Sequence, residues 1–191
     1  MKFQKILCLI SVIVGGLVFL YSLGIITDLY DSLYFTMRNA DPSKVVVPGS
    51  YVYYEIQDFN KLFVRLAIVL ILIAALLFIT STHVRRRYYI ANYISVGLYT
   101  IYSIAFTVWA HIQIEFYKAK FLQIDFVKLK EYSEEWKTYY TESTFWFDIH
   151  YLVLGLLLLT AILHIVNFCF KLQLMKEEQR IIEEGKEAAV V

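Results

Sequence analysis

The sequence predicts an all-helical integral membrane protein with four transmembrane helices, and three observations predict it. Four apolar stretches, at about residues 6–26, 62–82, 88–112 and 149–170, hold few or no charges. A hydrocarbon core about 30 Å thick takes about 20 apolar residues of helix to cross. The composition matches: 59% of residues are apolar and 18% charged, with a mean hydropathy of +0.57, against roughly 45–50% and 25% in soluble domains. Lysines and arginines cluster before the first stretch, between the second and third, and after the fourth. The 191 residues then leave room for two modest loops and a tail, all in a single membrane domain.

The first stretch follows Lys2 and Lys5 and runs on for about 20 residues. That is longer than the 7–15 of a signal-peptide core, so it reads as an uncleaved span. Residues 28–35 prolong it as helix or a helical turn. Asp41-Pro42 marks a turn. Residues 45–47 and 51–54 are β-prone on either side of Pro48-Gly49, a pattern that predicts a short hairpin. Asp58 is placed to N-cap the second span. Arg65, about a turn inside that span, either snorkels toward the interface or pairs with Asp58 or Glu55. Arg85, Arg86 and Arg87 fill the connection to the third span.

Beyond the third span the chain has neither glycine nor proline until after residue 154. Ile114, Tyr117, Phe121, Ile124 and Val127 recur three and four apart, which predicts a helix continuing or following that span. Residues 131–140 read as helix. Thr141-Glu142-Ser143-Thr144 breaks it, and Asp148 is placed to N-cap the fourth span. Residues 171–191 extend that span as a helical tail with a thin apolar stripe of Leu174, Ile181 and Ile182. Cys8 and Cys169, near one membrane face, read as small buried apolar residues and not as a disulfide.

The positive-inside rule puts Lys2, Lys5, Arg85–Arg87, Lys171, Lys176 and Arg180 on the cytoplasmic side, with both termini, of a multi-pass protein of the cell membrane. The two long loops then face outward, where acids outnumber bases in each. Trp109, Trp146 and Tyr30, Tyr34, Tyr51, Tyr53, Tyr54, Tyr139 and Tyr140 fall at the outer interface, and Tyr88 and Tyr89 at the inner one. The halves also resemble each other. Gly16-Leu17, Tyr21-Ser22 and Gly24 match Gly97-Leu98, Tyr102-Ser103 and Ala105 at an offset of 81 residues. Lys5 matches Arg86 at that offset, and Asp58 matches Asp148 further on. This reads as two helical hairpins of one orientation, a parallel repeat.

The chemistry legible in the sequence is thin. His111 and Glu115 share a helix face, and Asp148 and His150 open the fourth span at similar depth. Such a set can ligate a transition metal, yet solvated interfacial residues are the commoner reading and no metal is favoured. His164, deep in the fourth span, is expected to face other helices and to bond Asn167 or a hydroxyl. His150 and His164 have the spacing of haem-ligating histidines on a membrane helix, about 21 Å of rise. His83 and His111 lie at opposite ends of their own spans and supply no matching pair, so no cofactor is expected. No span holds a carboxylate at its centre for proton coupling, and no phosphate loop or nucleophilic triad is present. The expected function is an accessory, regulatory or assembly subunit of a larger membrane complex such as a transporter. Its partners would be the lipid bilayer and another integral membrane protein, with no nucleic acid and no catalysis. The alternatives are a membrane immunity protein against a toxin and a metal- or cofactor-binding redox protein.

Overall fold

The computed structural model describes residues 2–27, 47–82, 88–136 and 140–188. Every regular element among them is a helix: α1 (Lys2–Thr27), α2 (Val52–Thr82), α3 (Tyr88–Phe121), α4 (Phe126–Trp136), the short α5 (Phe145–Asp148) and α6 (His150–Ala188). Four segments, one each in α1, α2 and α3 and one running from α5 along α6, are long and apolar enough to cross a membrane, as a multi-pass membrane protein requires. They form a ring in which α1 packs on α2, α2 on α3, α3 on α6 and α6 back on α1. Lys171 of α6 donates to Gln4 of α1, so the start of the chain and the C-terminal part of α6 share one end of the bundle. The turns around residues 47–51 and 122–125 and α4 occupy the other, the loop end.

The helices are apolar nearly all round, so the seam is set by size and polarity. Buried positions run Ile56, Asn60, Phe63, Ala67, Leu70, Ala74, Leu77 in α2 and Asn92, Val96, Tyr99, Ser103, Phe106, Ala110 in α3. In α1 they run Leu7, Ser11, Val14, Val18, Tyr21, and in α6 His150, Leu154, Leu157, Ala161, His164. Spacings alternate between three and four, the 3.5-residue period of a left-handed bundle. Small and polar residues gather on this seam, where close approach of helices needs them. The large aliphatics point outward: Leu72, Ile94 and Leu152 are 63–65% exposed. In water such a surface would aggregate, whereas a bilayer requires it.

Where the sequence predicted a hairpin, the chain makes a turn and starts a helix. The Ser50 hydroxyl donates to the Val47 carbonyl at 2.7 Å, and the Tyr53 amide donates to Ser50 O at 3.1 Å. Gly49 takes φ +82°, and a Cβ there would stand 2.9 Å from the Gln123 carbonyl oxygen. The Asp125 amide donates to Pro48 O at 3.2 Å, which locks this turn to the turn after α3. Tyr51 therefore closes the turn and residues 52–54 are helical; Val45 and Val46 lie outside the described residues.

The early start of α2 removes Asp58 from the N-cap. It sits well inside the helix and pairs with Lys61 at 3.2 Å. Asp148 is not an N-cap either: it ends α5, whose own cap position is Thr144. Arg65 pairs with neither expected acid, because Asp58 takes Lys61 and Glu55 takes Lys120 at 2.5 Å; its side chain is exposed on the outer surface. Cys8 is buried as expected and Cys169 is exposed, and both are free thiols. Helix α3 does extend to Phe121, with Ile114, Phe121 and Ile124 buried, but Val127 is 73% exposed because the turn before α4 breaks the period. The break at residues 141–144 is present. Arg85, Arg86, Arg87, His83 and residues 28–46 lie outside the described residues.

Candidate metal-binding cluster and buried polar pairs

The short helix α5 sets the geometry at the loop end. Trp146 lies over Gly24 of α1 so closely that a Cβ on the glycine would come within 2.5 Å of the indole ring. The Tyr21 hydroxyl, also on α1, donates to the Trp146 carbonyl at 2.8 Å. Phe147 is buried against Phe121 of α3, with ring centroids 5.2 Å apart. With α5 pinned from two sides, the next turn begins at His150, which has no exposed surface. Its Nδ1 faces the Phe147 carbonyl. A carbonyl only accepts, so Nδ1 carries the proton and Nε2 presents a lone pair.

That lone pair points at α3. His111 Nδ1 lies 3.0 Å from His150 Nε2, and the two rings stack with centroids 5.2 Å apart. Glu115, one turn further along α3, brings Oε1 within 3.8 Å of the same Nε2. The ligand atoms of His111, Glu115 and His150 all fall within 4.8 Å of one another. The Tyr151 hydroxyl donates to Glu115 Oε1 at 2.7 Å and holds the carboxylate in place. Asp148, the fourth residue of the predicted set, does not join. Two positions before His150, it faces another way and binds Lys118 Nζ and the Thr144 hydroxyl, both at 2.6 Å.

His164 is fully buried and takes a partner on α1: Ser11 Oγ lies 2.8 Å from Nε2. Ser11 gives its own proton to the Leu7 carbonyl at 3.0 Å, so the Nε2–H is the donor to Ser11. Nδ1 has no hydrogen-bond partner among the described residues, and the ring stands edge-on to Tyr99 at 5.2 Å. Asn167, the neighbour expected for His164, is half-buried. Toward the terminal end a polar chain crosses all four long helices. Lys171 of α6 donates to Gln4 of α1, Gln4 to Asn92 of α3 at 2.6 Å, and Asn92 to Thr80 of α2 at 3.4 Å.

Sequence reasoning found His111, Glu115, His150 and His164 but missed Ser11, Tyr151 and the Phe147 carbonyl. A serine in apolar text and a tyrosine beside a histidine carry no periodic signal; only the fold brings them to their partners. No protein-family model, curated protein or solved structure matches the chain.

Proposed function

We propose that the protein is an accessory or assembly subunit of a larger complex in the cell membrane. On this reading it acts by contacts of its helices and loop end with another integral membrane protein and catalyses nothing. One observation carries the reading: the bundle is filled where a carrier or channel would be open. Phe63, Leu70, Leu77 and Tyr99 are buried at 0% exposure along its length. Phe63 stacks on Phe106 at 5.4 Å, and the central histidine is tied to Ser11. A tightly packed bundle offers its surface for use, not a pathway.

On that surface an apolar groove of about 160 Å³ lies between α3 and α6, lined by Val96, Gly97, Thr100, Ile165 and Phe168 among others. An apolar cavity of roughly 150 Å³ holds a benzene ring, so the groove suits one aromatic or leucine side chain of a neighbouring helix. A Cβ on Gly97 would meet nothing within 4 Å, so a side chain added there starts in open space at the groove. Purification from native membranes in mild detergent should yield a stoichiometric membrane partner, and Gly97→Leu should lose it at unchanged thermal stability. Wild-type protein that purifies alone, or a Gly97→Leu protein that keeps the same partner, rejects the proposal. The convergence of His111, Glu115 and His150 favours a second reading, a membrane protein that holds a metal ion.

A further inference from the structure

We infer that His111, Glu115 and His150 form a binding site for one zinc-type divalent transition-metal ion at the loop end. This goes beyond the subunit reading and does not depend on it. Two imidazoles and one carboxylate are a donor set that zinc takes with a fourth position left for water or an incoming ligand. Metal–ligand bonds of about 2.0–2.2 Å at tetrahedral angles separate neighbouring ligand atoms by roughly 3.3 Å. The observed separations from His150 Nε2, 3.0 Å to His111 Nδ1 and 3.8 Å to Glu115 Oε1, bracket that value. With all three ligand atoms within 4.8 Å of one another, side-chain rotation of Glu115 and His111 closes the set on one ion.

The outer contacts are those of a metal ligand set. A ligating imidazole commonly donates its other N–H to a carbonyl, which fixes the tautomer and raises the basicity of the ligating nitrogen. His150 does this to Phe147. A ligating carboxylate is commonly hydrogen-bonded in turn, and Tyr151 supplies that bond. His150 is buried while Glu115 is half-buried and His111 exposed, so the site has a fixed floor and an open mouth. Lys118, whose Nζ lies 5.9 Å from the Tyr151 ring, is paired with Asp148, which offsets its repulsion of an incoming ion. Without metal, His111 and His150 share a hydrogen bond; with metal, both nitrogens turn their lone pairs to the ion, and neutral His111 exchanges its Nδ1 proton through solvent for one on Nε2, so it binds as the Nε2–H tautomer.

The test uses the full chain purified in detergent and stripped with a chelator. Titration with Zn²⁺ at neutral pH, followed by dialysis and metal analysis, should leave about one ion per chain, and Co²⁺ should give the intense visible absorption of a four-coordinate centre. His111→Gln and Glu115→Gln, both at accessible positions, should abolish retention while remaining monodisperse. Tyr151→Phe should weaken it about ten- to a hundredfold, and Asp148→Asn should retain it. Zinc should raise the melting temperature of the wild type and not of His111→Gln. Substoichiometric zinc in the wild type, equal retention by His111→Gln and Glu115→Gln, or loss of retention in Asp148→Asn overturns the inference. The readout is made on the isolated chain, so it stands or falls apart from the partner experiment at Gly97.

Discussion

Gly49 and His164 show how single residues fix this bundle. Gly49 combines a positive φ of 82° with backbone of the neighbouring turn where a Cβ would go. Residues other than glycine in such conformations cost on the order of 1–3 kcal/mol, so Gly49→Ala should destabilise by at least that range, measured by thermal unfolding in detergent. An unchanged melting temperature would show that the two turns are not locked together. His164 presents a different energetic problem. Replacing it with leucine keeps the volume but leaves Ser11 Oγ, which accepts from Nε2, without its donor. A buried polar group stripped of its partner costs about 1–3 kcal/mol. His164→Leu should therefore destabilise more than His164→Gln, and adding Ser11→Ala to His164→Leu should recover part of the loss. Strict additivity of the two changes would deny the bond.

At the level of elements, the existence and order of the long helices were legible because length and hydropathy alone decide them. Their ends were not. Helix α2 starts at Val52 because Gly49 and Ser50 turn the chain directly into helix, and the β-propensity of Tyr51–Tyr54 gave way to that local geometry and to burial of Val52 and Tyr53. The same shift carried Asp58 inside the helix. The seams were partly readable: Ala67 and Ala74 in α2 and Ser11 and Ser22 in α1 mark a buried face amid larger aliphatics. A hydropathy reading that treats alanine and leucine alike erases that contrast. The polar chain from Lys171 through Gln4 and Asn92 to Thr80 crosses four helices and has no sequence signature. Hydrogen bonds between membrane helices contribute about 0.6 kcal/mol on average and at most about 1.7. Asn92→Leu, which severs two links, should cost about 1–2 kcal/mol in detergent unfolding; a change below a few tenths would make the chain incidental.

For the whole molecule, the ring of helices leaves two questions that charge and symmetry address together. Ser11 and Asn92 lie 81 residues apart, as do Tyr21 and Tyr102. Ser11 joins α1 to α6 as Asn92 joins α3 to α2. Tyr21 donates to a carbonyl at Trp146 as Tyr102 donates to Leu66. From these paired roles we propose, in line with the sequence expectation, that the chain is two hairpins of one orientation related by an axis along the membrane normal. In such an arrangement the end of α2 and the chain's start lie at one end, where Lys5, Lys171, Lys176 and Arg180 also gather. A bilayer orients a protein by keeping such short basic segments on the cytoplasmic side, so this end should face the cytoplasm and α4 the exterior. In a Cys8→Ala, Cys169→Ala background, a membrane-impermeant thiol reagent on intact cells should label Lys130→Cys, whose native side chain is exposed in the middle of α4. It should leave Arg86→Cys unlabelled until the cells are permeabilised. Labelling of position 86 and not of position 130 would invert the topology. It would also put the His111–Glu115–His150 cluster on the cytoplasmic side, where metal from the medium would not reach it in intact cells.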